Sequence, residues 1–577
     1  AAASPSGHWN GKGAMTEQGI FFTRWTKPMT RVHNSTTLAT ILKCHDDYNL
    51  PGSKGASEDD KGRLCAISLK VFMNADGSSA ECMRRQSISR FYDLKPPTHL
   101  CDPIGDYNVF TTIPTVAESK TPSNSTYLAI IARMDALAAI PDTSPGAYST
   151  MTSIVTLLTA AKVVGDNLDI FERASNASNR RLLFALLHGE SFDYIGSTRW
   201  IHEMENGRFP PRHKQDGDEK KKVTVHELIT PDKISLAIEL QQIDESSALH
   251  AHVDGKNYAA DDKKKISRAI EGMKTAMAPL GYLLHRTRVD ENGVLPPSSL
   301  HALLRNRRTT PALLVTSFEQ QYRNRRFHSQ WDLFTGGAEE EAKLKKAMEA
   351  VATGVVRVMA DHVGLTEKER DQLVVDQAWL TTLSSCLVTT KEWMACPYLD
   401  TLLSQPEFAP YTRKGKDRQL FVSADSVSMV RAVVMALLTR ATGEHRSTSN
   451  VRDADACKQL EQKIRINTYH WMIDPALNTS FCWRTGLRYH AATSPAFVGT
   501  PESLNLTSSP YSTWVESVYA IDHSYSLFLV ESRPADWTLL IVGLITVLTS
   551  ILIVGRCDDS SFIVDEGERA AEEGEPL

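Results

Sequence analysis

The chain has 577 residues, of which 42% are hydrophobic and 23% charged, with a net charge of −5. That balance is ordinary for a globular body with a sizeable core, and it excludes fibrous and disordered classes. The small net charge gives no reason to expect nucleic-acid binding or a polybasic membrane surface.

The first hundred residues read as loop-rich and contain Cys44, Cys65, Cys82 and Cys101. Such a segment is expected to be a small disulfide-supported lobe. From about residue 120, strand and helix signals alternate. The apolar runs Tyr127–Ala132, Leu182–Leu187, Ile234–Leu240 and Ala312–Val315 predict strands, and Ser149–Val164 predicts an amphipathic helix. Continuous apolar strands between helices imply an α/β fold with a largely parallel sheet buried on both faces. Ala338–Val363 and Glu367–Thr390 read as long helices, apolar at i, i+3 and i+4. The charged runs Asp218–Lys222 and Asp261–Lys265 are expected to be solvated loop or helix faces.

Near the end, Trp537–Gly555 carries no charged residue, and at about 1.5 Å per residue it nearly covers the ~30 Å hydrocarbon core of a bilayer. It predicts one transmembrane helix. Asn-x-Ser/Thr sequons at Asn34, Asn124, Asn176, Asn478 and Asn505 all precede it. So do eight of the nine cysteines, the four above with Cys386, Cys396, Cys457 and Cys482; only Cys557 follows. The division suits an oxidising lumen for the body and a reducing cytosol for the acidic tail. Arg533 and Arg556 flank the span and give only a weak positive-inside signal. The sequence opens AAASPSGHWNGK, without an initiator Met or an apolar leader, so a signal peptide is expected upstream. Within the span, Gly543, Thr546 and Ser550 share a small, weakly polar face suited to helix packing in lipid, or to hydroxyls bonded back to their own helix. The expected organisation is a small-lobe remnant over 1–112, a large lobe over 113–525, a stalk over 526–536, the membrane helix over 537–555 and a cytosolic tail over 556–577.

The motif with most chemistry is Leu182–Glu205, LLFALLHGESFDYIGSTRWIHEME, in which an apolar strand ends at His188-Gly189, Glu190 follows at its carboxyl end and Gly196-Ser197 leads into a helix. Open α/β sheets place their functional crevice at such a strand exit. The run Asp193-Tyr194-Ile195-Gly196-Ser197 resembles the signature of the nicastrin family, the large glycoprotein subunits of γ-secretase. Cys82-Met83-Arg84-Arg85, Cys101-Asp102-Pro103 with Asp106-Tyr107-Asn108, Pro145-Gly146-Ala147, Leu295–Leu300 (LPPSSL) and Tyr511-Ser512-Thr513-Trp514 with Glu516-Ser517 resemble further landmarks of that family, in the expected order.

The resemblance implies a zinc-aminopeptidase-like large lobe that has lost its chemistry. Where the di-metal enzymes carry His-x-Asp, this chain has Arg133-Met134-Asp135; where an aspartate bridges the metals it has Tyr148; and the Glu-Glu pair reads Glu190-Ser191. Glu239 falls near another ligand position, and the last histidine ligand has no identified counterpart. Three replacements, one of them a cation, leave too few ligands for a water-activating metal, so no metal or other cofactor is expected. Arg133 reads as a counter-ion for Asp135 or Glu190. Glu190 either meets the free amino terminus of a membrane-bound stub or is a paired buried carboxylate holding its loop. Tyr194 either caps the crevice or is a packed aromatic. Asp193, Ile195, Gly196 and Ser197 complete the candidate recognition segment. Ala138–Pro141 lacks the aromatics that the family offers between its lobes.

Pairing of Cys44 with Cys65, Cys82 with Cys101 and Cys457 with Cys482 follows from the same resemblance; Cys386 and Cys396, which the family pattern does not supply as a pair, are left to each other by elimination. The implied function is a non-catalytic subunit working with presenilin, APH-1 and PEN-2, which stabilises assembly and screens Notch-like and amyloid-precursor-like type I stubs by ectodomain size. The implied location is the membranes of the endoplasmic reticulum, Golgi, cell surface and endosomes, with a luminal or extracellular body. A membrane-anchored zinc aminopeptidase and a receptor-like ectodomain are the alternatives.

Overall fold

The computed structural model describes residues 32, 34–53, 63–73, 78–91, 100–115, 124–138, 144–211, 227–254, 259–287, 295–306, 309–404, 418–422, 428–446, 451–463, 468–499, 506–507, 509–517, 519–530 and 533–556. They fall into two compact units, the larger within Asn74–Val518 and the smaller within Met29–Met73 and Tyr519–Leu577. Asn505, Asp218–Lys222, Ala139–Pro141 and the tail from Cys557 lie outside the described residues.

The larger unit is built on one eight-stranded sheet. Its strands are β1 (Gly105–Ile113), β2 (Thr126–Arg133), β3 (Arg180–Leu187), β4 (Ile234–Leu240), β5 (Ala248–His252), β6 (Leu283–Arg286), β7 (Ala312–Thr316) and β8 (Arg488–Thr493). In space they run β8-β1-β3-β2-β4-β7-β5-β6. The central strands β3, β2, β4 and β7 are mutually parallel, as their apolar runs predict. The sheet as a whole is mixed rather than largely parallel, because β1 is antiparallel to both β3 and β8, and β5 is antiparallel to β7. These additions escape an apolar-run search because they carry Asp106, Asn108, His250 and His490, several of them buried with specific partners.

Strand periodicity divides the core in two. Leu128, Ile130 and Ala132 of β2 join Leu182, Phe184 and Leu186 of β3 in one cluster, whereas Tyr127, Ala129, Ile131, Leu183, Ala185 and Leu187 join a second on the opposite face. The first is covered by helices α1 (Thr152–Asp166), α3 (Ala260–Met277), α4 (Ala338–Val363) and α5 (Met429–Thr442). The second is covered by α2 (Ile195–Glu205) and the short helix Leu300–Asn306. The segment Ala147–Asp166 is apolar enough to cross a membrane but is 89% buried, so its apolarity serves this core.

Glu367–Thr390 is not one helix. A short turn, Glu367–Arg370, is closed at its start by a reciprocal Thr366–Glu369 capping box, and a new helix begins at Gln377, where Asp376 accepts hydrogen bonds from the amides of Ala378 and Trp379. Asp376 favours the cap over helix continuation, and an apolar period alone does not register that break.

The smaller unit pairs strand Cys65–Met73 antiparallel with Tyr519–Leu529 and also contains helix Ser35–Tyr48 and the apolar helix Arg533–Val554. The first hundred residues therefore hold more regular structure than expected, and residues 526–529, assigned to a stalk, are strand. Disulfides join Cys44 to Cys65 here, and Cys82 to Cys101, Cys386 to Cys396 and Cys457 to Cys482 in the larger unit. Asn34, Asn124, Asn176 and Asn478 are exposed.

One close approach between helices supplies a stability test. A Cβ on Gly165 of α1 would lie 1.8 Å from the Ala441 carbonyl oxygen of α5, whereas one on Gly272 of α3 would meet its nearest neighbour at 3.4 Å. Gly165→Ala is expected to destabilise the larger unit by about 1–3 kcal/mol, and Gly272→Ala to stabilise it by up to about 1 kcal/mol. Thermal melts of the two variants check the opposite signs.

Candidate functional site

The site forms where β3 ends. Gly189 has φ +80°, and Asp193 and Tyr194 also adopt left-handed backbone, with φ 59° and 58°. The chain thus makes a compact loop before α2 starts at Ile195, whose amide donates to the Gly189 carbonyl at 3.3 Å. Gly196 is required by close approach: a Cβ there would fall 2.1 Å from the His188 carbonyl oxygen and 2.6 Å from Asn108 Oδ1. Asn108, projecting from β1, ties both ends of the loop, accepting from the His188 amide at 2.8 Å and donating to the Gly196 carbonyl at 2.8 Å. His188 is itself buried, 3.8 Å from Asp106, which pairs with Arg431 at 2.8 Å.

Asp135 follows β2 and is wholly buried. Its two carboxylate oxygens accept the amides of Glu190 at 2.9 Å and Ser191 at 2.8 Å. Arg133 approaches the same carboxylate at 3.5 Å and donates to Ser191 Oγ at 2.6 Å and to the Asp135 carbonyl at 3.2 Å. Burial would raise the Asp135 carboxyl, but Arg133, His188 and the Ser191 hydrogen bonds outweigh it and hold the group below its ordinary value. The Glu190 carboxylate accepts from the Ser197 amide at 2.7 Å and its hydroxyl at 2.8 Å, at the start of α2. Burial, reinforced by the Asp135 charge, pushes Glu190 up to about 7. Glu239 of β4 accepts the Leu300 amide at 3.2 Å through one oxygen, while the other, buried, has no hydrogen-bond partner among the described residues. Burial and the Glu190 charge push it likewise to about 7.

Of the residues selected from sequence, the structure brings Arg133, Asp135, Glu190, Ser191 and Ser197 into one hydrogen-bonded group, with Glu239 electrostatically coupled to it. Tyr148 is directed elsewhere: its hydroxyl donates to Glu245, and its amide donates to Asp332. Ile195 is buried in a small cluster with Ile104, Leu137, Phe192 and Val422. Tyr194 contacts the His301 ring at 6.0 Å, and burial raises its hydroxyl well above the ordinary range. Asp193 is exposed and accepts the indole N–H of Trp514 at 2.9 Å, bordering a cleft of about 480 Å³ that Arg305 and Tyr511 also line. Asn108, His188 and Leu300 stand within the sequence landmarks without an assigned role, and nothing local marks Asn108, because its strand also carries Asp106, Thr111 and Thr112.

A di-zinc centre does not fit these residues. The guanidinium of Arg133 is bonded to Ser191 and paired with Asp135, so a fixed positive charge already holds the carboxylate that a dication would need as a donor. Among the described residues no group of three or more His, Cys, Asp or Glu could hold a metal ion.

The site therefore belongs to a mixed α/β protein whose strand ends are joined by a buried arginine–carboxylate cluster. Family models describe residues 126–362 as a nicastrin large lobe and residues 1–75 as a nicastrin small lobe. The chain is 32% identical to nicastrin of Caenorhabditis elegans over 584 residues, covering 98% of this chain and 78% of the relative. It is 25% identical to nicastrin of Homo sapiens, covering 94% and 74%. A crystal structure of the gamma-secretase component nicastrin shares the fold, with a TM-score of 0.57 and 17% identity over 86% of this chain and 77% of that one. The chain belongs to the nicastrin family.

The raised carboxyls predict a pH profile. A carboxyl group whose folded pKa lies above its unfolded value contributes stability that is full below about 4.5 and is lost as pH rises through about 7. The larger unit should therefore melt higher at pH 5 than at pH 8, and Glu239→Gln should flatten the difference. Thermal melts across that range check it.

Proposed function

We propose that the chain is the large, non-catalytic subunit of a γ-secretase-type intramembrane protease, held in the membrane by one C-terminal helix. The observation that carries this reading is the relationship along 98% of the chain to the Caenorhabditis elegans nicastrin. Supporting it, the helix Asp536–Val554 has mean hydropathy 2.5 and none of its length is buried. Exposed sequons and disulfides in the body favour a luminal or extracellular side for everything before that helix. The arginine-filled crevice supports loss of hydrolysis, with cleavage left to presenilin and assembly shared with APH-1 and PEN-2.

In this reading the body stabilises the complex and admits short type I membrane stubs while excluding bulky ectodomains. Glu190 then acts as a positioning group. It is 4% exposed, and Ser197 occupies both its oxygens, so it fixes the start of α2 and the exposed Asp193 beside the cleft. In the membrane helix, the hydroxyls of Thr546 and Ser550 donate to the carbonyls of Val542 and Thr546, which leaves close approach at Gly543 as the contribution of this face to packing.

Purification of the full chain in mild detergent tests the assignment: presenilin, APH-1 and PEN-2 are expected to accompany it, and their absence would favour a receptor-like ectodomain. Glu190→Gln is expected to impair glycan maturation and assembly before it affects processing by assembled complexes. Selective loss of processing with normal maturation would instead make Glu190 a substrate contact. Leu at Gly543, Thr546 and Ser550 together is expected to preserve insertion and reduce recovery of the partners; unchanged recovery would locate assembly elsewhere.

A further inference from the structure

The two-stranded sheet that precedes the membrane helix in the smaller unit carries an apolar face whose large described side chains, Leu64 and Phe528, are about half exposed. In the antiparallel register, Ala66 opposes Phe528, and the ladder continues with the Val530 amide donating to the Leu64 carbonyl at 2.8 Å. Directly opposed residues share a face, so Leu64, Ala66, Phe528 and Val530 line one side. Cys65 and Ile67, opposite Leu529 and Leu527, line the other. The Cys65 side is tied to helix Ser35–Tyr48 by the Cys44 disulfide, and Asn49 fixes the strand by exchanging hydrogen bonds with the Cys65 backbone at 2.7 and 3.0 Å. The side carrying Leu64 and Phe528 stays open: these two are 53% and 47% exposed.

We propose that this face is a lipid contact, which rests in the headgroup layer of the bilayer beside the membrane helix. The proposal rests on the reading of Arg533–Val554 as a membrane span. Chain length decides the occupant. The apolar window starts at Asp536, and Arg533 precedes it within the same helix, at about 1.5 Å per residue. Arg533 is therefore within about 5 Å of the hydrocarbon boundary. Three residue steps separate Val530 from Arg533, and an extended chain spans at most about 3.6 Å per step, so Val530 lies no more than about 11 Å further on. The headgroup layer is itself about 5–8 Å deep on each side. The end of the sheet that carries Leu64, Phe528 and Val530 is thus tethered within about 16 Å of the hydrocarbon boundary, no more than about 8–11 Å beyond the outer edge of that layer, and Phe and Leu side chains partition favourably into it.

The test uses the full chain in phosphatidylcholine nanodiscs on a Cys557→Ser background, with single bimane labels and brominated lipids as quencher. Labels are introduced by Phe528→Cys, by Leu64→Cys as a second reporter on the same face, by Ile67→Cys on the opposite face, and by Leu548→Cys within the helix. Ile67 is 47% exposed, like Phe528, so exposure alone cannot separate them. Loss of emission at 548, and at 528 or 64 by lipids brominated near the glycerol, with full emission at 67, is the expected result. Quenching at 548 with full emission at both 528 and 64 overturns the lipid contact and leaves the span standing. Equal quenching at 67 and 528 overturns the assignment to one face. Full emission at 548 removes the span and the lipid contact with it.

Discussion

The crevice depends on one buried carboxylate. Asp135 has no access to solvent, so every lone pair it keeps ionised must be met from within. Two backbone amides from the Glu190–Ser191 turn and the guanidinium of Arg133 do this. Because the amides belong to the loop that leaves β3 and the cation to the last residue of β2, the carboxylate joins two neighbouring strand ends. Removing Arg133 alone would leave an uncompensated charge, the costly case for a buried pair.

The loop is over-determined around that point. Asn108 fixes it from β1, Ser197 and Glu190 bond across its far end, and Gly196 lies so close to His188 that no side chain fits. Such support holds Asp193 and Tyr194 in consecutive left-handed conformations that residues with a Cβ adopt only at a cost. An ordered, solvent-facing Asp193 beside the cleft is the consequence. Opposing this order is an excess of buried acid: Glu190 and Glu239 join Asp135 against the single Arg133, and burial answers by raising two of the carboxyls rather than by adding cations.

Much of the frame was legible in the sequence, because strands buried on both faces must be continuously apolar. β4 matches its expected bounds, β2 is one residue longer at each end, and β3 and β7 are longer by two and one residues at a single end. α4 shows the same for a long amphipathic period with acidic residues at its start and Gly364 after its end. The antiparallel strands were hidden because their polar residues are used internally: Asn108 reads as a breaker until its two loop partners are known. Chain position did not reveal that Cys65–Met73 pairs with Tyr519–Leu529 across most of the sequence. At the site, the sequence singled out the residues at 133, 135, 190 and 191 that the structure joins by hydrogen bonds, but the direction of Tyr148 toward Glu245 depended on packing that no local motif encodes.

The central proposal is that the internal Arg133 leaves the Asp135 carboxylate unable to serve metal chemistry at this site. The most direct measurement is the zinc-to-chain ratio, determined by plasma mass spectrometry on the purified full chain after equilibration with micromolar zinc and desalting. The wild-type protein is predicted to retain no stoichiometric zinc. Retention of one or two tightly held zinc ions per chain, lost on Asp135→Asn, would contradict it.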